Sequence, residues 1–218
     1  MNNPNALIGL IVSLPGVLIA ITFHEFAHGY VAYKLGDDTA KRQGRLTLNP
    51  LDHLDPVGTV LLIFAGFGWG KPIQVNPRKY TRKISMEAGE AIVSFAGPLM
   101  NFILAILFTI IYWLVCKFAG EFVVTEAGVL VLRLISATIG INVGLGVFNL
   151  IPLPPLDGSK ILMPFLPYKA KQWFIKNEQI FYIVFLVVWI TGIASAIISP
   201  IIEKISYGII ALIGFIIM

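Results

Sequence analysis

Charge is what this sequence has least of. Only 13% of its 218 residues are charged and 57% are hydrophobic, where a water-soluble domain carries about a quarter charged. Together with a mean hydropathy of +0.84, that shortage excludes an ordinary soluble domain and points to an integral membrane protein. Cysteine is nearly absent too: the single Cys116 stands in an apolar run with nothing to pair with. A disulfide framework is thereby excluded, and Cys116 reads as a small buried hydrophobe. The formal net charge of +4 comes with no basic run interleaved with aromatics, so nucleic acid is excluded as a partner. The basic loops read instead as facing membrane lipids with an anionic surface. Internal repeats and low-complexity tracts are also missing.

Long apolar runs are what the chain has in abundance. At about 20 residues per crossing, it is expected to be an all-α polytopic membrane protein of about five to six transmembrane helices, with no room for a separate soluble domain. The first run, Ala6 to Phe23, keeps its helical pattern through His24, Glu25 and His28 to about Leu35, far beyond the length of a cleavable signal core. Asn3 and Pro4 start it, Gly36 followed by Asp37 and Asp38 stops it, and Pro15-Gly16 predicts a bend midway. Residues 37 to 56 are polar, and Val57 to Phe67 is too short to cross, which predicts a re-entrant or interfacial segment. The GWGKPIQVNPRKYTRK stretch alternates β-type residues between glycine and proline. It predicts a short β-type edge near the membrane, from about Pro72 to Asn76, able to pair with another backbone.

Further spans are expected at about Ala88 to Lys117, Gly128 to Leu150 and Ile180 to Ser199. A final piece, Ile205 to Met218, is marginal: it crosses together with Ile201 to Lys204 or lies shallow. Gly140 and Gly144 form a small-xxx-small pair, which predicts close helix packing there. Nine of the sixteen Lys and Arg residues fall between Lys34 and Lys83 and four between Lys160 and Lys176, leaving only Lys117, Arg133 and Lys204 elsewhere. Because positively charged short loops stay in the cytoplasm, the N-terminus is expected outside and the C-terminus inside.

The chemistry concentrates in His24-Glu25-Phe26-Ala27-His28. Two imidazoles at i and i+4 share one helical face about a turn apart, a spacing suited to chelating zinc. Glu25 projects about 100° away around the helix, poorly placed as a ligand and well placed to take a proton from a metal-activated water. A polar cluster holding helices together is the structural alternative, but ionisable groups at the end of an apolar helix are costly and mark function by default. A hydrolytic zinc site wants a third protein ligand and one open position. Asp157 is the one carboxylate between Glu126 and Glu178, and it follows an apolar span ending on the same side as His24. It is the expected third ligand; a plain turn at Asp157-Gly158 is the alternative. The remaining histidine, His53, reads as a loop residue bonded to a neighbouring carboxylate rather than as a ligand or proton shuttle.

Taken in order, HEFAHGYVAYKLGD, FAGPLMN at Phe95 to Asn101 and NLIPLPPLDG at Asn149 to Gly158 resemble the site-2 proteases, the intramembrane zinc metalloproteases. GRLTLNPLDHLDPVGT and GFGWGKPIQVNPRKY resemble the small prokaryotic branch of that family, and no PDZ-like or CBS module is visible. The resemblance covers nearly everything from about residue 20 to 160. It implies one zinc ion per chain on His24, His28 and Asp157, Glu25 as general base, and three helices holding the metal. It also implies a single membrane-embedded protease domain over 1–218, with a catalytic core over about 6–160 and C-terminal helices over about 170–218.

The same resemblance places Asn101 at the substrate carbonyl, where its amide would steady a tetrahedral oxyanion; an interhelical hydrogen bond is the equal alternative. Asn149 reads as a residue fixing the proline-rich turn or orienting a ligand. The implied substrate is a transmembrane protein, such as a membrane-anchored transcription regulator or an anti-sigma factor, with a signal-peptide remnant as another class. The implied location is a prokaryotic cell membrane, crossed several times, with the active site toward the cytoplasm. Two other functions compete: a membrane zinc transporter and a non-catalytic membrane-client binding protein. Transport needs a polar pathway to both sides, which the spans lack apart from the cluster. A client-holding protein has no need of Glu25 between two histidines.

Overall fold

The computed structural model describes residues 4–65, 68–81 and 83–218. The described residues are helical, with no strand among them. Ten α-helices follow in order: α1 Pro4–Lys34, α2 Thr39–Arg42, α3 Pro50–His53, α4 Pro56–Ala65, α5 Met86–Phe118, α6 Glu126–Asn149, α7 Asp157–Leu162, α8 Tyr168–Lys176, α9 Glu178–Ile190 and α10 Ile193–Ile217. Among the described residues four segments are long and apolar enough to cross a membrane: Ile8–Lys34, Met86–Phe118, Glu126–Asn149 and Ile193–Ile217. Against the expected five to six spans, the described residues offer four candidates.

The first three spans begin and end within a few residues of the expected limits because their boundaries are written locally. Ser85 caps α5 by accepting from the Ala88 N–H at 3.2 Å, and Thr125 caps α6 by accepting from the Gly128 N–H at 3.1 Å. An acidic residue follows each cap, Glu87 and Glu126, which complements the helix dipole. The helix α1 runs through Pro15 without interruption.

The C-terminal third departs from expectation. Gly192 takes a left-handed conformation, φ 75°, between α9 and α10, a backbone state that glycine adopts without steric cost. The apolar stretch expected to cross as Ile180 to Ser199 is broken there into a 13-residue helix, too short to span, and a 25-residue one. The marginal Ile205 to Met218 piece is the second half of that longer helix. Trp113 Nε1 donates to the Ile210 carbonyl at 2.8 Å and Lys117 Nζ to that of Ile217, so the C-terminal ends of α10 and α5 lie together.

Helices α1, α5 and α6 pack against one another as a core, and α10 lies against α5 and α6. Ala105, Ile139 and Val143 form the buried centre of the second contact, covered by Ile202, Ile205 and Ile209. The close approach between α1 and α6 falls at Gly16, where an added Cβ would stand 2.9 Å from the Thr138 Cα. The expected Gly140/Gly144 contact is corrected: nothing lies within 4 Å of a Cβ at Gly140, and only Ile202 Cδ1, at 3.5 Å, at Gly144.

The re-entrant piece expected over 57–67 corresponds to α4, whose 10 residues are too few to cross; residues 66–67 lie outside the described residues. The β-type edge expected from Pro72 to Asn76 is not a strand. A single antiparallel bridge, Leu54 with Gly70, stands beside it. Residues 71–76 form an extended strap held by heterogeneous contacts: Lys71 N–H to the His53 carbonyl at 2.8 Å, Ile73 N–H to Glu25 at 2.8 Å and Asn76 N–H to Asp37.

Candidate metal centre

Histidines 24 and 28 lie on one face of α1, both buried. The proline-rich turn after α6 carries Asp157 back to that face as the first residue of α7. Its Oδ2 stands 3.2 Å from Nε2 of His24 and 3.2 Å from Nε2 of His28, and the two Nε2 atoms are 3.0 Å apart. Three donor atoms from residues 133 positions apart in sequence thus meet at one point, a group that could hold a metal ion.

The hydrogen bonds behind the imidazoles fix which nitrogens are free. His24 Nδ1 is 2.7 Å from Asn101 Oδ1, and His28 Nδ1 is 2.7 Å from the Val93 carbonyl. Both partners only accept. The amide orientation of Asn101 is set in turn, because its Nδ2 donates to the Ala20 carbonyl and to Asn142 Oδ1, each at 3.1 Å. Each Nδ1 therefore carries the proton, and in the neutral rings each Nε2 presents a lone pair to the other and to Asp157.

Asp157 Oδ2 is buried with no hydrogen-bond partner of its own. An ionised oxygen and two imidazole lone pairs facing inward repel one another until a cation joins them. Zinc bonds of about 2.0–2.2 Å in tetrahedral geometry set donors about 3.3 Å apart, close to the three separations found here, so the residues fit the ion.

Glycine 97 makes the assembly sterically feasible. A Cβ there would fall 2.5 Å from His28 Nε2 and 2.6 Å from His24 Cε1, so α5 reaches the imidazoles only with no side chain at this point. Gly97 and Asn101 are four residues apart on one face of α5 and act as floor and brace for the histidine pair. Sequence reasoning gave Gly97 no role, because that role exists only where α1 meets α5. Both amide protons of Asn101 are engaged, and its bonds to His24, Ala20 and Asn142 are the interhelical hydrogen bonding expected as the alternative to a contact with the substrate carbonyl.

Glu25 faces the same cavity, a space of about 670 Å³ lined by His24, His28, Asp157, Asn149 and the strap. Its Oε2 accepts from the Ile73 N–H, which ties the strap to the carboxylate. The Ile73 side chain sits in a notch at Gly29, where a Cβ would meet its Cδ1 at 2.4 Å. Asn149 donates to the Leu145 carbonyl at 3.1 Å. His53 stands apart from the metal group. It is fully buried and bonded through Nε2 to the Thr47 carbonyl at 2.8 Å, which corrects the expected bond to a carboxylate.

Comparison with known proteins agrees with this chemistry. Residues 12–192 match Peptidase family M50. A Bacillus subtilis protein named "Putative zinc metalloprotease YwhC" is 44% identical over 184 residues, covering 84% of this chain and 82% of that protein. "Putative zinc metalloprotease Rip2" of Mycolicibacterium smegmatis is 31% identical over 83% of this chain and 67% of that protein. "Zinc metalloprotease MJ0392" of Methanocaldococcus jannaschii is 30% identical over 75% of this chain and 36% of its own length. No solved structure matches the chain.

Proposed function

The chain belongs to Peptidase family M50, the zinc metalloproteases that include the site-2 proteases, and from that premise we propose that it is an intramembrane endopeptidase. It hydrolyses a peptide bond in or near a transmembrane segment of a membrane protein. The observation that carries this reading is the convergence of His24 and His28, inside the candidate span Ile8–Lys34, with Asp157, which follows the end of α6, and with Glu25 in the same cavity. His24, His28 and Asp157 hold the zinc, and Asn101 and the Val93 carbonyl keep the imidazoles in the metal-binding tautomer. Bound there, zinc supplies a Lewis acid that polarises a peptide carbonyl and makes water acidic enough to react near neutral pH.

Glu25 takes the proton from the attacking water and delivers it to the leaving amine. The Ile73 N–H fixes one carboxylate oxygen and leaves Oε1 for that transfer. A helical substrate hides its carbonyls in i to i+4 bonds, so the bond to be cut must unwind before it reaches the site. The extended strap, where among the described residues no backbone hydrogen bond engages the N–H groups of Gln74 and Val75, is suited to holding such an extended segment. The thirteen cationic residues clustered in the loops on the site's side of the bilayer support a cytoplasmic orientation. Membrane-anchored transcription regulators and anti-sigma factors are substrates of fitting architecture.

The test is cleavage of a single-span reporter by the protein reconstituted in lipid vesicles. Wild type should cleave, and Glu25→Gln should lose at least about 100-fold in rate while retaining its zinc. Cleavage by Glu25→Gln at the wild-type rate would sink the proposal. Zinc transport and client binding, by contrast, have no need of the Glu25 carboxylate.

A further inference from the structure

Among the described residues that line the site cavity, Lys160 is the one cation. It lies on α7, three positions after Asp157 and so on the same face, with Cβ atoms about 5–6 Å apart. No ion pair engages it among the described residues; Asp157 is committed to the two histidines. Lys160 is exposed, whereas His24 and His28 are buried. The other side chains able to donate into the cavity, Ser94, Asn149, Tyr182, Trp69 and Trp189, are neutral.

The charges of the site explain what Lys160 is free to do. Two neutral imidazoles, the carboxylates of Asp157 and Glu25 and a divalent ion sum to zero. Lys160 adds one uncompensated positive charge at the cavity mouth, where the low dielectric of the apolar walls strengthens its attraction for an anion. A lysine arm reaches about 6 Å, and an extended peptide advances about 3.3 Å per residue. An anionic side chain two or three residues from the bond being cut therefore comes within range of the ammonium.

We propose that Lys160 is a specificity-determining residue that binds the carboxylate of an Asp or Glu two or three residues from the scissile bond of the substrate. The proposal rests on the protease reading of the site and narrows its substrate class: the preferred segment carries an acidic residue close to the cut on the side facing Lys160. The opposite charge there is repelled, so Lys160 also rejects segments with a basic residue at that place.

The experiment uses single-span reporters identical except for Glu, Gln or Lys, scanned two and three residues to either side of the cleavage site. At the best position wild type should favour Glu over Lys by about 10-fold in kcat/KM, as a partly screened charge pair provides. Lys160→Glu should reverse the order, Lys160→Arg should keep it, and Lys169→Glu, on α8 outside the cavity, should leave the wild-type ratio in place. Binding of the same dye-labelled reporters to the Glu25→Gln protein, with and without Lys160→Glu, gives the ratio without turnover. An equal Glu-to-Lys binding ratio with and without Lys160→Glu would overturn the proposal. Persistent cleavage by Glu25→Gln would instead overturn the protease reading, and the binding ratio would still decide the role of Lys160.

Discussion

Within their most apolar stretches α1, α5 and α6 bury 28%, 22% and 28% of their residues, whereas α10 buries 6%. The buried polar residues follow the same division. Within the spans, Thr22, His24, His28, Ser94, Asn101, Thr109, Thr138 and Asn142 all belong to α1, α5 and α6, while α10 buries only Ala194 and Gly214 among the described residues. Lipid tails are as apolar as leucine, so burying leucine gives transmembrane helices no reason to associate; small residues and interhelical hydrogen bonds supply it. The site-bearing trio has both. Asn101 alone links α5 to α1 through His24 and Ala20, and to α6 through Asn142. The C-terminal helices present most of their surface outward and meet the trio through apolar contacts and a few bonds near their ends.

The largest break in that comparison comes from Gly97. Gly97→Val should push α5 off the imidazoles, with loss of bound zinc and at least about 100-fold of activity, read from metal content and reporter cleavage on the same sample. Next in size is Asn101→Ala, which removes the acceptor that orients His24. Its zinc affinity should fall by about 10- to 100-fold, measured by competition with a chelator, and added zinc should restore cleavage. A residue acting directly on the substrate would not be rescued in that way. The smallest effect should come from Gly214→Leu in α10, where a Cβ would meet the Trp113 ring at 2.7 Å. It should lower the Tm in detergent by a few degrees, about 1–2 kcal/mol of overpacking, and leave zinc stoichiometry unchanged. Zinc loss from Gly214→Leu, or none from Gly97→Val, would erase the distinction between the two regions.

Much of the trio was legible in the sequence because its signals are local. Apolar runs of spanning length and the i, i+4 histidines each show within a few residues, and the spans read from those runs begin beside the caps at Ser85 and Thr125. Asp157 was reachable by elimination, being the one carboxylate in a long stretch. Three features were not legible, and each depends on a contact between distant residues. Gly97 matters only because α1 brings His24 and His28 against it, and the bond from Ile73 to Glu25 bridges 48 positions. The fully engaged amide of Asn101 depends on Ala20 and Asn142, from two other helices. The C-terminal error has another cause: Gly192 interrupts an apolar run whose composition is continuous, and hydropathy does not register a left-handed glycine.

The claim on which the account rests is that three side chains form one zinc site. The most direct test is zinc content of the detergent-purified protein after chelator washing, for wild type beside Asp157→Ala, His24→Ala and Glu25→Gln. The account predicts about one zinc per chain in wild type and Glu25→Gln, the three-ligand arrangement of a catalytic site, and almost none in the other two. Zinc retained in full by Asp157→Ala would contradict it, because the convergence of Asp157 with His24 and His28 would then not be what holds the metal.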